Sequence, residues 1–154
     1  MKKSILKFIM ILLITTSCGF KVVNQFEEIN FSIANITSSG DKKVSYIIKN
    51  KLSFKLGSKK EKSINLNIDT KKNKTIKEKN INNEITKYQI SITANIETIE
   101  SNSTNIKTFT VQEIGSYSVA KQYSQSSSNE KKLTKTLSES LANKILNQLV
   151  VIFE

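Results

Sequence analysis

The chain has 154 residues, and its 24 basic residues, all lysines, outnumber 13 acidic ones. It contains no histidine, tryptophan or proline, a single cysteine and only four scattered glycines. This composition excludes an intrachain disulfide, a histidine metal cluster, a Cys/His nucleophile pair and a Gly-rich phosphate loop. We therefore expect neither an enzyme nor a protein that depends on a cofactor or metal.

The first 17 residues have the pattern of a secretory signal peptide. Lys2 and Lys3 precede an almost entirely apolar run from Ile5 to Ile14, and small polar residues then lead into Cys18. A membrane span needs ~20 apolar residues, about twice this run, so the pattern favours a cleaved signal over a spanning anchor. We predict that residues 1–17 are removed and that Cys18 becomes the N-terminus.

The residues around the predicted cleavage site resemble a lipobox. Residues 14–19 read Ile-Thr-Thr-Ser-Cys-Gly, with Thr15 where lipoboxes usually carry leucine. In a lipobox the cysteine sulfur takes a diacylglycerol and the amine takes a further acyl chain such as palmitate. Each buried CH2 contributes about 0.8 kcal/mol, and stable anchoring needs more than one chain. Lipidation of Cys18 would thus tether the protein to a membrane without a spanning helix.

The remaining chain suits a single domain. Removing 17 of the 154 residues leaves 137, which we divide into a lipidated tether at 18–25 and one domain at 26–154. Three lysines leave with the signal, so 21 lysines face 13 acidic residues and the net charge is +8. A positive surface suits anionic membrane lipids or a phosphorylated glycolipid, and secretion excludes nucleic acid as the partner.

The first part of the domain predicts a strand followed by a helix. Apolar residues alternate over 29–33, as in a half-buried strand. Residues 38–41 break this pattern and offer Ser39 or Asp41 as a helix N-cap. An amphipathic helix is predicted over about 41–55. Its apolar positions are Val44, Ile47, Ile48 and Leu52.

Three further strands are predicted in the middle of the chain. The second strand begins with the alternation at 64–68, and the polar, Lys-rich stretch 71–84 that follows is the far end of a long hairpin or a mobile loop. The third strand has one apolar face, formed by Tyr88, Ile90, Ile92, Ala94 and Ile96. A fourth strand follows a turn at 102–105, and Gly115 is read as a β-bulge within it.

A polar linker at 124–129 is predicted to precede a long C-terminal helix over about 129–150. The order of elements is therefore βαβββα. Four strands and two helices, each with one apolar face, predict an α+β two-layer sandwich in which a four-stranded sheet carries both helices on one face. The apolar stripe of the last helix consists of Leu133, Leu137, Leu141, Ile145 and Leu149.

Together these features resemble the LPS-assembly lipoproteins (LptE-like). The resemblance covers the mature chain in order: the cysteine motif at 18–20, the order of elements, Tyr-Gln-Ile at 88–90, and Val-Ala-Lys at 119–121 before the last helix. It implies a Gram-negative outer-membrane lipoprotein at the periplasmic face. Such a protein plugs and assists assembly of the β-barrel LPS translocon (LptD-like) and binds lipopolysaccharide during export. Gly19 is consistent with outer-membrane sorting.

The resemblance also implies LPS-binding residues. Lys121 occupies the basic position before the last helix, and Lys77 and Lys79 lie in the hairpin that joins the second and third strands. An exposed charge contributes about 1 kcal/mol or less. We therefore expect Lys77, Lys79 and Lys121 to act together on LPS.

Two other functions remain open from the sequence. One is an auxiliary periplasmic lipoprotein of a lipid-trafficking ABC transport system. The other is a lipoprotein activator of a cell-wall synthase. The leading hypothesis predicts co-purification with a large outer-membrane barrel, whereas the alternatives predict inner-membrane ABC components or a peptidoglycan synthase.

Overall fold

The computed structural model describes residue 29 and residues 31–56, 62–101 and 103–153. The predicted signal peptide at 1–17, Cys18 and the tether at 18–25 lie outside the described residues. The α+β class and the order βαβββα are confirmed. The elements are β1 (Phe31–Gly40), α1 (Lys42–Leu56), β2 (Lys62–Lys79), β3 (Ile85–Glu100), β4 (Ile106–Ser118) and α2 (Tyr123–Phe153).

The four strands form one mixed sheet in the order β1-β2-β3-β4. β1 and β2 run parallel, because α1 crosses back over the sheet between them, and their register sets Phe31 opposite Lys62 and Gly40 opposite Thr70. The other two pairs are antiparallel. This topology brings the start of β1 beside the start of β2, at the end of the sheet away from the β2–β3 hairpin.

One face of the sheet is buried beneath both helices, which confirms the two-layer arrangement. Alternation along the strands sends every second side chain to this face. The other side, which we call the open face, carries no helix. The strands bury Ile64, Leu66, Ile68, Ile90, Ile92, Ala94 and Ile96, α1 buries Val44, Ile48 and Leu52, and α2 buries Leu137, Leu141, Ile145, Leu146 and Leu149.

The junction between β1 and α1 is fixed by backbone geometry. Gly40 has a positive φ of 86°, and a Cβ atom there would lie 1.9 Å from the carbonyl oxygen of Thr70. Asp41 is the N-cap of α1, since its Oδ1 accepts from the backbone N–H groups of Lys43 (3.1 Å) and Val44 (3.0 Å). Ser39, the other predicted cap, instead donates to Asp69 Oδ1 at 2.6 Å.

The Lys-rich stretch is part of a long hairpin. β2 continues to Lys79 and pairs with β3 almost to its end, with irregular register only around 76–79. A short turn at 80–84 connects the strands. The mobile-loop alternative is therefore wrong. Backbone pairing with β3 holds this segment, although its side chains lack an alternating apolar pattern.

Three details of the predicted elements differ in the structure: the end of β1, the bulge at Gly115 and the linker at 124–129. β1 continues through Gly40, because the parallel pairing with β2 extends to Thr70. The register between β3 and β4 is continuous through Gly115, so the predicted bulge is wrong. A Cβ atom at this glycine would lie 2.8 Å from Leu133 Cδ1, so Gly115 allows α2 to approach β4 closely. Residues 124–129 are helical and not a linker.

Among the described residues, neither helix has a stretch that is both long and apolar enough to cross a membrane. α2 has 31 residues, but polar and charged side chains cover the side that faces away from the sheet.

We predict that Gly40→Ala destabilises the domain by at least about 2 kcal/mol, because alanine disfavours a positive φ and its Cβ overlaps the Thr70 backbone. Urea unfolding measures this difference. Asp41→Ala is the matched variant at the next position, and it should cost only about 1 kcal/mol through loss of the N-cap. Equal stability of Gly40→Ala and the wild type would contradict this account of the junction.

Candidate ligand-binding cavity at the hairpin end

The helix-facing side of β2 changes from apolar to basic along the strand. Ile64, Leu66 and Ile68 are buried in the core, and Thr70 is the last buried residue of this row. The same face then continues with Lys72 and Lys74, which are partly exposed. We call the part of the domain beyond this change the hairpin end. It consists of residues 71–90 and residues 117–130.

Lys74 joins the hairpin to the N-terminal part of α2. Its Nζ lies 2.6 Å from Glu130 Oε2, and Lys72 Nζ lies 3.8 Å from Glu130 Oε1. Tyr117 on β4 donates its hydroxyl hydrogen to the same Glu130 Oε2 at 2.9 Å. Glu130 thus connects the hairpin, β4 and α2.

Two tyrosines surround the Lys74 ammonium group. Its Nζ lies 4.2 Å from the ring centroid of Tyr88 and 5.5 Å from that of Tyr117. The two rings stack on each other with centroids 5.8 Å apart. A cation this close to an aromatic face is attracted by the ring quadrupole. The tyrosines therefore help to hold the lysine in place.

The charges in this cluster change one another's proton affinity. The Glu130 carboxylate, followed by the Tyr117 hydroxyl, holds the pKa of Lys74 well above its usual range. The Lys74 ammonium lowers the pKa of Glu130, although partial burial opposes the change. Burial raises the pKa of Tyr117. Lys74 and Glu130 consequently both stay charged, and Tyr117 stays protonated, across the physiological range.

A cavity of about 350 Å³ opens beside this cluster. Lys74, Tyr88 and Tyr117 form the side provided by the sheet, and the β4–α2 connection with the first two turns of α2, including Glu130, forms the other. Ser126 fixes the connection, because its Oγ accepts from the backbone N–H of Ala120 at 2.8 Å. The second side presents Lys121, Tyr123, Ser126 and Ser127.

The lining suits a polar, anionic ligand with a sugar-like body. Tyrosine rings offer flat apolar faces, serine hydroxyls donate and accept hydrogen bonds, and lysine supplies a point charge for a phosphate. Lys121 is exposed and makes no ion pair with any described residue, unlike Lys74. Its charge is therefore available to a ligand.

The three predicted LPS-binding lysines lie in different places. Lys121 lines the cavity. Lys77 Nζ donates to Ser116 Oγ at 3.2 Å, and Ser116 lies on the open face, because its neighbour Tyr117 faces the helices. Lys79 lies near the hairpin tip and donates to Asn83 Oδ1 at 2.8 Å.

The residues that accompany Lys121 in the cavity come together only in the folded chain. Lys74 and Glu130 are 56 positions apart, and only the folded sheet brings them together. The sequence does contain an indication for Lys74. Even-numbered side chains of β2 from Ile64 onwards share one face, and Lys74 continues that series. Tyr88 was assigned to the apolar face of β3, and that face is the one that meets the cavity.

No protein-family model and no curated protein matches the sequence, but the fold matches solved structures. Rare lipoprotein B from Shewanella oneidensis has a TM-score of 0.61 at 12% identity, over 79% of this chain and 94% of that one. Lipoprotein B from Nitrosomonas europaea has a TM-score of 0.60 at 14% identity, over 87% and 92%. A minor lipoprotein from Acinetobacter baumannii has a TM-score of 0.57 at 13% identity, over 80% and 94%. These similarities establish a shared fold.

We predict that Glu130→Gln lowers the free energy of unfolding by about 0.5–1 kcal/mol, the range of a partly exposed ion pair. Because folding lowers the pKa of Glu130, its contribution is full above the unfolded value of 4.5 and is lost as the pH falls through the folded value. Because folding raises the pKa of Lys74, its contribution persists up to at least pH 10.5.

The difference between Glu130→Gln and the wild type should therefore be constant from about pH 5 to 10 and shrink on acidification. Urea unfolding over this pH range tests it. Glu139→Gln removes the weaker contact with Lys135 (3.9 Å) and serves as the control. If the difference in free energy of unfolding between Glu130→Gln and the wild type instead grew as the pH fell, the ion pair would not be stabilising the fold.

Proposed function

We propose that this protein is an outer-membrane lipoprotein, anchored through Cys18 at the periplasmic face, that plugs and assists assembly of the β-barrel LPS translocon and binds LPS during its export. Three features support the proposal. The N-terminal residues resemble a lipoprotein signal, the domain shares its fold with proteins described as lipoproteins, and a cavity suited to a phosphorylated glycolipid lies at the hairpin end.

The observation that carries the proposal is the polarity of the open face. Apart from the exposed Ile99, Ile106 and Ile114, the side chains there are mostly hydroxyls and amides. Some bond to one another across strands, as Thr110 Oγ1 does to Asn95 Oδ1 (2.9 Å) and Gln112 Nε2 to Ser91 Oγ (2.9 Å). The lumen of an outer-membrane barrel is polar and wet. A hydroxyl- and amide-rich sheet face can exchange water for polar groups of such a wall, whereas an apolar lipid layer offers no partners.

The two ends of the domain suit different tasks in this location. Phe31, near the point where the chain enters the domain, contacts the Phe153 ring at the end of α2, with centroids 5.6 Å apart. The cavity lies towards the other end of β2. β2 has 18 residues and spans about 59 Å at ~3.3 Å per residue, and a bilayer with its headgroups is about 40–45 Å thick. A domain tethered at the inner leaflet and aligned with the barrel thus reaches the outer leaflet with its hairpin end.

The cavity is the proposed LPS contact. Lys121 approaches a phosphate, and Tyr88 and Tyr123 lie against sugar rings. Lys74 is already paired with Glu130, so it contributes less unless a phosphate displaces that carboxylate.

Affinity capture of the lipidated protein from solubilised outer membranes tests the proposal. We expect one large β-barrel protein to co-purify and depletion of that barrel to remove the lipoprotein from the membrane. Cys18→Ala should shift the protein to the soluble fraction and reduce barrel capture. Recovery of only inner-membrane ABC components, or of a peptidoglycan synthase, would instead favour one of the two alternative functions and exclude this one.

We further predict that Lys121→Ala weakens binding of detergent-dispersed, monomeric LPS about fivefold at low salt, which corresponds to the loss of one exposed charge contact of about 1 kcal/mol. Lys77→Ala is the matched variant, because it also removes one exposed lysine but on the open face. It should change the affinity less than twofold. Equal losses from the two variants would contradict recognition of LPS in the cavity.

A further inference from the structure

Four of the nine large apolar side chains that are exposed in the described part of the chain lie at the hairpin end. Ile81 at the tip is fully exposed (103%), and Tyr123 at the start of α2 is 88% exposed. Ile76 and Val119 are also exposed, at 50% and 37%. Val119 donates its backbone N–H to the carbonyl of Thr86 on β3 at 2.9 Å, so the β4–α2 connection and the hairpin lie side by side.

The turn that carries Ile81 is held in one conformation by hydrogen bonds. Asn80 Oδ1 accepts from the backbone N–H groups of Asn82 (3.0 Å) and Glu84 (2.9 Å), and Asn80 Nδ2 donates to Glu84 Oε2 at 2.7 Å. Asn83 has a positive φ of 62°, which asparagine tolerates better than most residues. The turn therefore presents Ile81 to the surroundings without an ordering cost at the moment of binding.

The same end carries a high density of positive charge. Residues 71–87 contain six lysines and two glutamates. Lys87 is paired with Glu78 at 2.9 Å, and Lys72 and Lys74 are paired with Glu130. Lys77 and Lys79 bond only to the neutral side chains of Ser116 and Asn83 among the described residues. Long lysine side chains can bury their methylene groups in an interface while the ammonium group stays at the phosphates.

We propose that the hairpin end binds the surface of an anionic phospholipid bilayer, with Ile81 and Tyr123 entering the interface and Lys77 and Lys79 at the lipid phosphates. Single apolar and aromatic side chains separated by lysines are typical of binding to the interface of an anionic membrane. This contact is a second attachment to the membrane, separate from the lipid on Cys18. It needs neither the barrel nor LPS.

The two attachments are distinct. β1 begins at the end of the sheet away from the hairpin, so the proposed membrane contact is at the opposite end of the described domain from its first strand residue.

Vesicle binding of the mature chain, beginning at residue 18 and carrying Cys18→Ser to remove the acyl groups, tests the proposal. We expect sedimentation with vesicles rich in phosphatidylglycerol, a strong decrease with added salt, and little binding to phosphatidylcholine vesicles. Ile81→Ser should weaken partitioning about tenfold. The pair Lys77→Gln and Lys79→Gln should weaken it about tenfold or more.

Matched variants distinguish this contact from nonspecific hydrophobic binding and from the effect of net charge. Ile114→Ser changes an isoleucine that is 53% exposed on β4, and Lys42→Gln with Lys49→Gln removes two exposed charges from α1. Neither should change partitioning more than twofold. Equal effects of the hairpin and control variants, equal binding to phosphatidylcholine, or binding only when LPS is added would each overturn the proposal. The vesicle assay contains neither the barrel nor LPS, so its result is independent of the affinity capture. Either proposal can therefore be contradicted without the other.

Discussion

The change from apolar to basic residues along one side of β2 divides the domain into two parts with different tasks. Thr70 lies at this change, and it is buried although polar. Its hydroxyl is satisfied by the Ser39 carbonyl (3.1 Å) and the Ser45 hydroxyl (2.7 Å), so the cost of burial is offset. β1 ends and α1 begins at the same level of the sheet. Below it all four strands contribute to the helix-covered core, and above it the core continues only through β3 and β4, beside the cavity and the hairpin.

Glu130 connects the uncovered part of the hairpin to the rest of the fold. Beyond Thr70 β2 itself buries no further apolar side chain, although Ile90 and Ile92 of β3 stay in the core and β4 pairs with β3 as far as Lys87. Only the outer part of the hairpin is a two-stranded ribbon, which alone is marginally stable in water. Lys74 and Tyr117 both bind the Glu130 carboxylate, and Lys74 also packs against the Tyr88 ring. These contacts fix the inner half of the hairpin on α2, whereas the tip extends freely. This arrangement makes a rigid cavity wall and an exposed tip from the same two strands.

The apolar pattern predicted the core of this fold well and its polar regions poorly. Alternation at Ile64–Ile68 and Ile90–Ile96 identified the buried face, because burial imposes the period on the side chains. The outer half of β2 is held by backbone hydrogen bonds to β3, and these bonds impose no alternating pattern on the side chains. A glycine in a strand is compatible either with a bulge or with the close approach of another element, and at Gly115 the second applies, because Leu133 of α2 packs against it.

The candidate site depended even more on tertiary structure. Lys121 was identified through family resemblance and lines the cavity, whereas Lys77 and Lys79 lie elsewhere. Glu113 shows why partners of charged residues escape sequence reasoning. Its partners lie 27 and 31 positions away on α2, where Ser140 donates to its carboxylate at 2.8 Å and Lys144 Nζ lies 2.9 Å from it.

The proposed function requires the open face to dock against the inner wall of a barrel. A photo-crosslinking residue at Thr93, in the middle of that face on β3, reports this contact in intact cells. We expect a crosslink to a lumen-facing residue of an outer-membrane barrel protein, mapped by mass spectrometry. Crosslinks from this position to an inner-membrane transporter, to a cell-wall synthase or only to the periplasmic turns of a barrel would contradict it.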